Sequence, residues 1–150
     1  MARLLDKKLA EPPVSIASKM RVFGTKPFMR FARKFNASDK ELWEGTQEDP
    51  DADLGGHVFK FRLGREGEGS SGGARLIVAM KKGERIVMMF AFEKRKQANI
   101  DSKELKAFKR LAKSYLERSE QDMDKLVKLG DLEEIEKPTE PPVNKKRHAH

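Results

Sequence analysis

Two apolar runs, over 74–80 and 85–92, are separated only by Lys81, Lys82, Gly83 and Glu84. Strand-length apolar runs joined by so short a polar connection predict an antiparallel hairpin with a tight turn. In its second strand, Ile86, Met88, Phe90 and Phe92 are expected to face one way. A third strand precedes the hairpin over 58–63 and alternates strictly. Phe59, Phe61 and Leu63 share one face, and Val58, Lys60 and Arg62 share the other. Between this strand and the hairpin, residues 64–73 hold Gly64, Gly67, Gly69, Gly72 and Gly73, a connection with little to bury and the character of a flap.

Helices are signposted on either side of these strands. Residues 20–24 read as a short strand, after which Thr25 caps a helix whose Phe28, Phe31, Ala32 and Phe35 fall at helical spacing, with Pro27 in its first turn. Ser38 with Glu41 is a capping-box pattern for a second helix carrying Leu42 and Trp43. Residues 49–56 are turn-rich. Asp101 with Glu104 opens a third helix with the stripe Leu105, Phe108, Leu111, Ala112 and Tyr115. Ser119 with Asp122 opens a fourth that ends at Gly130. The order predicts an α+β fold: a small antiparallel sheet, two N-terminal helices packed on one face, C-terminal helices after the strands, and a basic open face. Residues 1–19 read as an N-terminal arm, 20–136 as the domain, and 137–150 as a basic, proline-containing disordered tail.

Charge is unevenly distributed. Of a formal net charge of +8, residues 57–97 hold ten basic and four acidic side chains. A concentrated excess is a candidate footprint for polyanions, where a scattered one is a solubility device. The absence of cysteine excludes a disulfide framework, a cysteine-ligated zinc and a thiol nucleophile, and fits a reducing cytoplasm. No run has the length of a membrane span or of a signal peptide's apolar block. His57 has no second ligand in register, so no metal and no cofactor is expected. The glycine connection lacks the Gly-Lys-Ser/Thr ending of a phosphate loop.

The succession Phe59-Lys60-Phe61-Arg62, Ser71-Gly72-Gly73-Ala74-Arg75, Phe90-Ala91-Phe92-Glu93-Lys94 and Asn99-Ile100-Asp101 resembles the RelE/ParE-type toxins of bacterial toxin–antitoxin pairs, in the branch related to HigB. The likeness spans about 20–135, where Gly130-Asp131-Leu132-Glu133-Glu134-Ile135 looks like the family's usual ending. It implies a metal-independent endoribonuclease, an mRNA interferase that acts on messenger RNA at the ribosome and inhibits translation. It also implies a cognate antitoxin, expected to be of helix-turn-helix type. In that chemistry the RNA supplies its own nucleophile, the 2′-hydroxyl. The protein orients it, moves protons and stabilises the crowded phosphate.

The catalytic candidates that follow are Lys60, Arg62 and Arg75. The two guanidinium groups suit bidentate phosphate contact, and Lys60 suits proton handling, since neighbouring cations ease proton loss from an ammonium. Arg65, Lys94, Arg95 and Lys96 are the candidates for holding flanking phosphates. Two positions depart from the family pattern: Ala74 stands where many relatives carry an aromatic, and Gln97 where they often carry an arginine. They keep a second reading open, a catalytically weak or inactive RNA-binding module of the same fold. The ParE side of the superfamily adds gyrase poisoning as a third. The cationic positions also fit an ordinary solvated strand face.

Overall fold

Five local signals in the sequence become the punctuation of the chain. In the computed structural model, which describes residues 20–64 and 73–139, Thr25 Oγ1 accepts the Phe28 N–H and donates to the Met89 carbonyl at 2.9 Å. Ser38 with Glu41 and Asp101 with Glu104 each close a reciprocal capping box. Ser119 accepts the Asp122 N–H, and Gly130, at φ 82°, ends its helix in the left-handed region. Each side-chain cap is worth about 1 kcal/mol. The N-terminal arm, Arg65 with the rest of the glycine-rich connection to residue 72, and the tail from residue 140 lie outside the described residues.

The elements run β1 (Arg21–Thr25), α1 (Lys26–Phe35), α2 (Asp39–Gly45), β2 (Ala52–Gly55), β3 (Val58–Leu63), β4 (Ala74–Lys81), β5 (Arg85–Glu93), α3 (Ser102–Glu117), α4 (Glu120–Leu129) and β6 (Leu132–Ile135). They build one six-stranded sheet in the order β2-β3-β4-β5-β1-β6. The fold is α+β as expected, but its sheet is mixed. β1 inserts between β5 and β6 and pairs with β5 in parallel, Val22 opposite Ile86, while the other neighbours are antiparallel. The connection from β1 through both N-terminal helices and three strands gives β1 the length of chain a parallel return requires. β2 forms within the stretch that reads as turn-rich, and β6 forms the far edge.

The expected open face is also corrected, because apolar clusters lie on both sides of the sheet. On one side Val22, Phe61, Leu76, Val78 and Met88 pack with Phe28, Ala32, Phe35, Leu42 and Trp43 from α1 and α2. On the other, Phe23, Val58, Ile77, Ala79 and Val87 pack with Ala112 and Met123, joined by the half-buried Leu105, Phe108 and Tyr115 of α3 and Leu126 of α4. β1 shows why: Val22 and Phe23 are both fully buried although they point to opposite faces. Continuous apolar runs are the mark of strands covered on both sides.

A bulge in β5 corrects one more expectation. Ile77 pairs with Phe90 and Val78 with Met88, so Met89 is the extra residue and the alternation reverses there. Ile86 and Met88 face α1, whereas Phe90 lies against Phe108 of α3 with ring centroids 5.5 Å apart, and Phe92 joins the same cluster.

Gly73, at φ 73°, opens β4, and a Cβ there would collide with the Leu63 carbonyl oxygen. Gly73→Ala is therefore expected to cost roughly 2–3 kcal/mol through the left-handed backbone and the clash together. Urea unfolding measures it; an unchanged midpoint would show that the junction yields freely.

Candidate functional site

The strand pairing brings the three central cations to one face. Arg62 and Arg75 are direct register partners across β3 and β4, and Lys60 is opposite Ile77. Because Ile77 and Ala79 pack beneath α3 and α4, the alternation puts Lys60, Arg62 and Arg75 on that same side. They sit differently in depth. Arg62 is exposed at the margin and its Nη2 donates to Asp51 Oδ1 at 2.9 Å, while the Asp51 N–H donates to the Lys60 carbonyl at 2.7 Å. Lys60 is half-buried. Arg75 is only 6% exposed, lies between Arg62 and Phe92, and donates from Nη1 to the Ala74 carbonyl at 3.3 Å. A central strand flanked by two others and roofed by a helix explains that burial; the expected surface trio is a surface pair over a buried guanidinium.

The junction after β5 lies at the same end of the sheet. The Lys94 N–H donates to the Gly73 carbonyl at 3.0 Å, which fixes the junction beside the start of β4. Lys94, Arg95 and Lys96 are all exposed. Lys94 Nζ donates to the Ala98 carbonyl, and Arg95 and Lys96 reach Glu93 at 3.7 and 3.2 Å. Exposed pairs of this kind are weak and screened by salt, so they do not prevent these cations from meeting phosphate. Gln97 donates to the Asn99 carbonyl within the same turn. Arg65, the remaining phosphate candidate, lies outside the described residues.

His57 occupies the β2–β3 turn at φ 64° and is exposed. Among the described residues, no three His, Cys, Asp or Glu side chains stand together in a way that could hold a metal ion. No described helix is long and apolar enough to cross a membrane. A cavity of about 710 Å³ lined by Met20, Trp43, Phe59, Met80 and Ile86 opens on the α2 side, away from the cation face.

Two residues with decisive partners escape a reading of the sequence. Asp51, which holds Arg62, sits in a stretch legible only as turns. Arg85 looks like one more cation of a basic segment, yet it is 6% exposed and donates to the Tyr115 and Arg118 carbonyls at 2.8 Å and to Glu120 at 2.6 Å. A lone arginine at the head of an otherwise apolar strand was its one available signal.

A mixed sheet with a helix pair on each side and a cationic register pair on the strands that flank a glycine-rich connection make up a small α+β domain. Residues 20–135 match the family described as the RelE toxin of the RelE / RelB toxin-antitoxin system, and the chain belongs to that family. The family is that of a toxin with an antitoxin partner. None of the curated proteins matches the chain.

Proposed function

We propose that the chain is a toxin of the HigB-like branch that acts in the cytoplasm as an endoribonuclease on ribosome-bound messenger RNA and so inhibits translation. The reading is carried by the register pair Arg62 and Arg75, two guanidinium groups on adjacent strands of one face, with Lys60 two positions along. In the step envisaged, the 2′-hydroxyl oxygen bonds to the neighbouring phosphorus and the bond to O5′ breaks. The proton leaves the 2′-hydroxyl and another is delivered to O5′, giving a 2′,3′-cyclic phosphate and a 5′-hydroxyl end. The arginines offset the charge gathering on the phosphate oxygens, and Lys60 handles a proton. Arg65, Lys94, Arg95 and Lys96 hold the flanking backbone. A nucleophile inside the substrate removes the need for a metal-activated water. The antitoxin is a small helix-turn-helix protein that covers this cationic end.

Induced expression in translating cells is expected to arrest growth and to create new 5′-hydroxyl ends within codons. Unchanged growth with an unchanged map of RNA ends would overturn the nuclease reading. A second reading is favoured by the burial of Arg75, the hold of Asp51 on Arg62 and the small side chain of Ala74. In it the domain binds RNA through the same face without cutting it, in a salt-dependent manner. New ends within codons would eliminate that alternative.

A further inference from the structure

Helix α3 carries Lys103, Lys106, Arg110 and Lys113 at steps of three, four and three residues, and Lys109 beside them, with no acidic residue between Glu104 and Glu117. At 3.6 residues per turn the first four fall on one stripe, which extends about 15 Å along the axis. All four are exposed, and Lys109 is half-buried. The opposite side of the helix packs into the core through Leu105, Phe108, Ala112 and Tyr115. None of the five cations has an ion pair or a side-chain hydrogen bond among the described residues. Arg21, Arg33, Arg62, Arg85 and Arg95, by contrast, each meet a carboxylate. The stripe adjoins the hairpin of the cation face, for Lys109 lies over the β2–β3 turn, its Cγ 3.0 Å from where a Cβ on Gly56 would stand.

We infer that this stripe is a second RNA-binding surface, which takes the phosphate backbone of double-stranded RNA while the sheet site handles a single strand. The inference rests on the RNA-directed reading above. Its composition selects the ligand. Protein–protein interfaces are depleted in lysine and centre on apolar anchors, and the stripe has the reverse composition. Single strands are held on aromatic platforms, and the stripe presents none; Ala107 and Ser114 are exposed beside its cations, Glu117 closes its C-terminal end, and Leu111, 42% exposed, is the one large apolar side chain at its margin. Duplex RNA is read through its regular backbone, for which a row of cations on a rigid helix suffices.

The test uses the purified full chain with a blunt RNA duplex of about 20 base pairs, a single strand of the same length, and poly-glutamate. In the triple variant K106Q/R110Q/K113Q, duplex affinity at moderate salt is expected to fall by roughly 10- to 100-fold. The slope of log affinity against log salt should flatten by about 2 to 3, one unit for each phosphate left without its cation. The thermal midpoint and the binding of the single strand should be unchanged. Unchanged duplex binding and slope would make the stripe an ordinary solvated face, and equal binding of poly-glutamate by the unmutated protein would make it a generic anion surface; either result overturns the proposal. Because the test reads binding and not cleavage, the duplex result stands even for a chain that cuts nothing.

Discussion

Arg62→Ala is expected to lower the rate of RNA cleavage by about 100- to 1,000-fold, the usual consequence of removing one charged donor from a developing oxyanion. It should abolish the growth arrest while leaving the unfolding midpoint nearly unchanged, since the side chain is exposed and loses only its surface pair with Asp51. Arg75→Ala cannot serve the same purpose. That guanidinium is buried between two strands, and its loss empties space in the sheet's interior, so a defect there mixes chemistry with folding. Asp51→Asn supplies the opposite perturbation. Asp51 competes with phosphate for Arg62, and neutralising it is expected to tighten RNA binding a few-fold without touching the arginine. An Arg62→Ala protein that cuts RNA as fast as the unmutated one would remove the guanidinium pair from the mechanism.

Arg85→Met should have the largest effect on stability. The Arg85 guanidinium collects the last carbonyls of α3 and the first carboxylate of α4 at the head of β5, and so it fixes both C-terminal helices to the sheet. Its removal leaves two carbonyls short of a charged donor, a cost of about 3 kcal/mol and roughly 10 °C in the midpoint of a domain this size. The change also alters acid sensitivity. Partial burial pushes the Glu120 carboxyl up, but hydrogen bonds from Arg85 and then Arg21 outweigh it and hold the pKa below its ordinary 4.5. A depressed carboxylate stabilises the fold above its unfolded pKa and loses that contribution as pH falls through the folded one. Thermal scans from pH 6 to pH 3 should therefore fall less steeply for Arg85→Met than for the unmutated protein. Parallel curves at equal midpoints would show that Arg85 holds nothing.

What the sequence disclosed and what it hid follow a physical division. Features written in neighbouring residues were legible: the hairpin around Gly83, the two reciprocal capping boxes, Thr25 and Ser119 as caps, and Gly130 as a helix stop. Features that depend on distant partners were not. β1 reads as a strand, but nothing near it says that it returns beside β5 in parallel. The reversal at Met89 arises from pairing with β4, so strict alternation misplaced Phe90 and Phe92 relative to Met88. The site divides in the same way. Lys60 and Arg62 are two positions apart on one strand, so alternation alone puts them on one face. The register that sets Arg75 opposite Arg62, the burial of Arg75 and the hold of Asp51 on Arg62 all come from pairing and packing that a linear string does not express.

The place of β1 has a consequence for how the chain comes into being. Arg21 reaches Glu134, 113 positions away, through two hydrogen bonds at 2.9 and 2.6 Å, and Glu120 and Asp124 besides; the Glu134 contact pushes the Arg21 pKa further up. At translation speeds of about 5–20 residues per second, several seconds separate the synthesis of these partners. Until β6 is made β1 has no neighbour on that side, and its arginine lacks all three carboxylates until Glu120 appears and the bidentate one until Glu134 does. A nascent toxin therefore passes through a lengthy unclosed stage, in which a freshly made antitoxin can meet it before its sheet is complete.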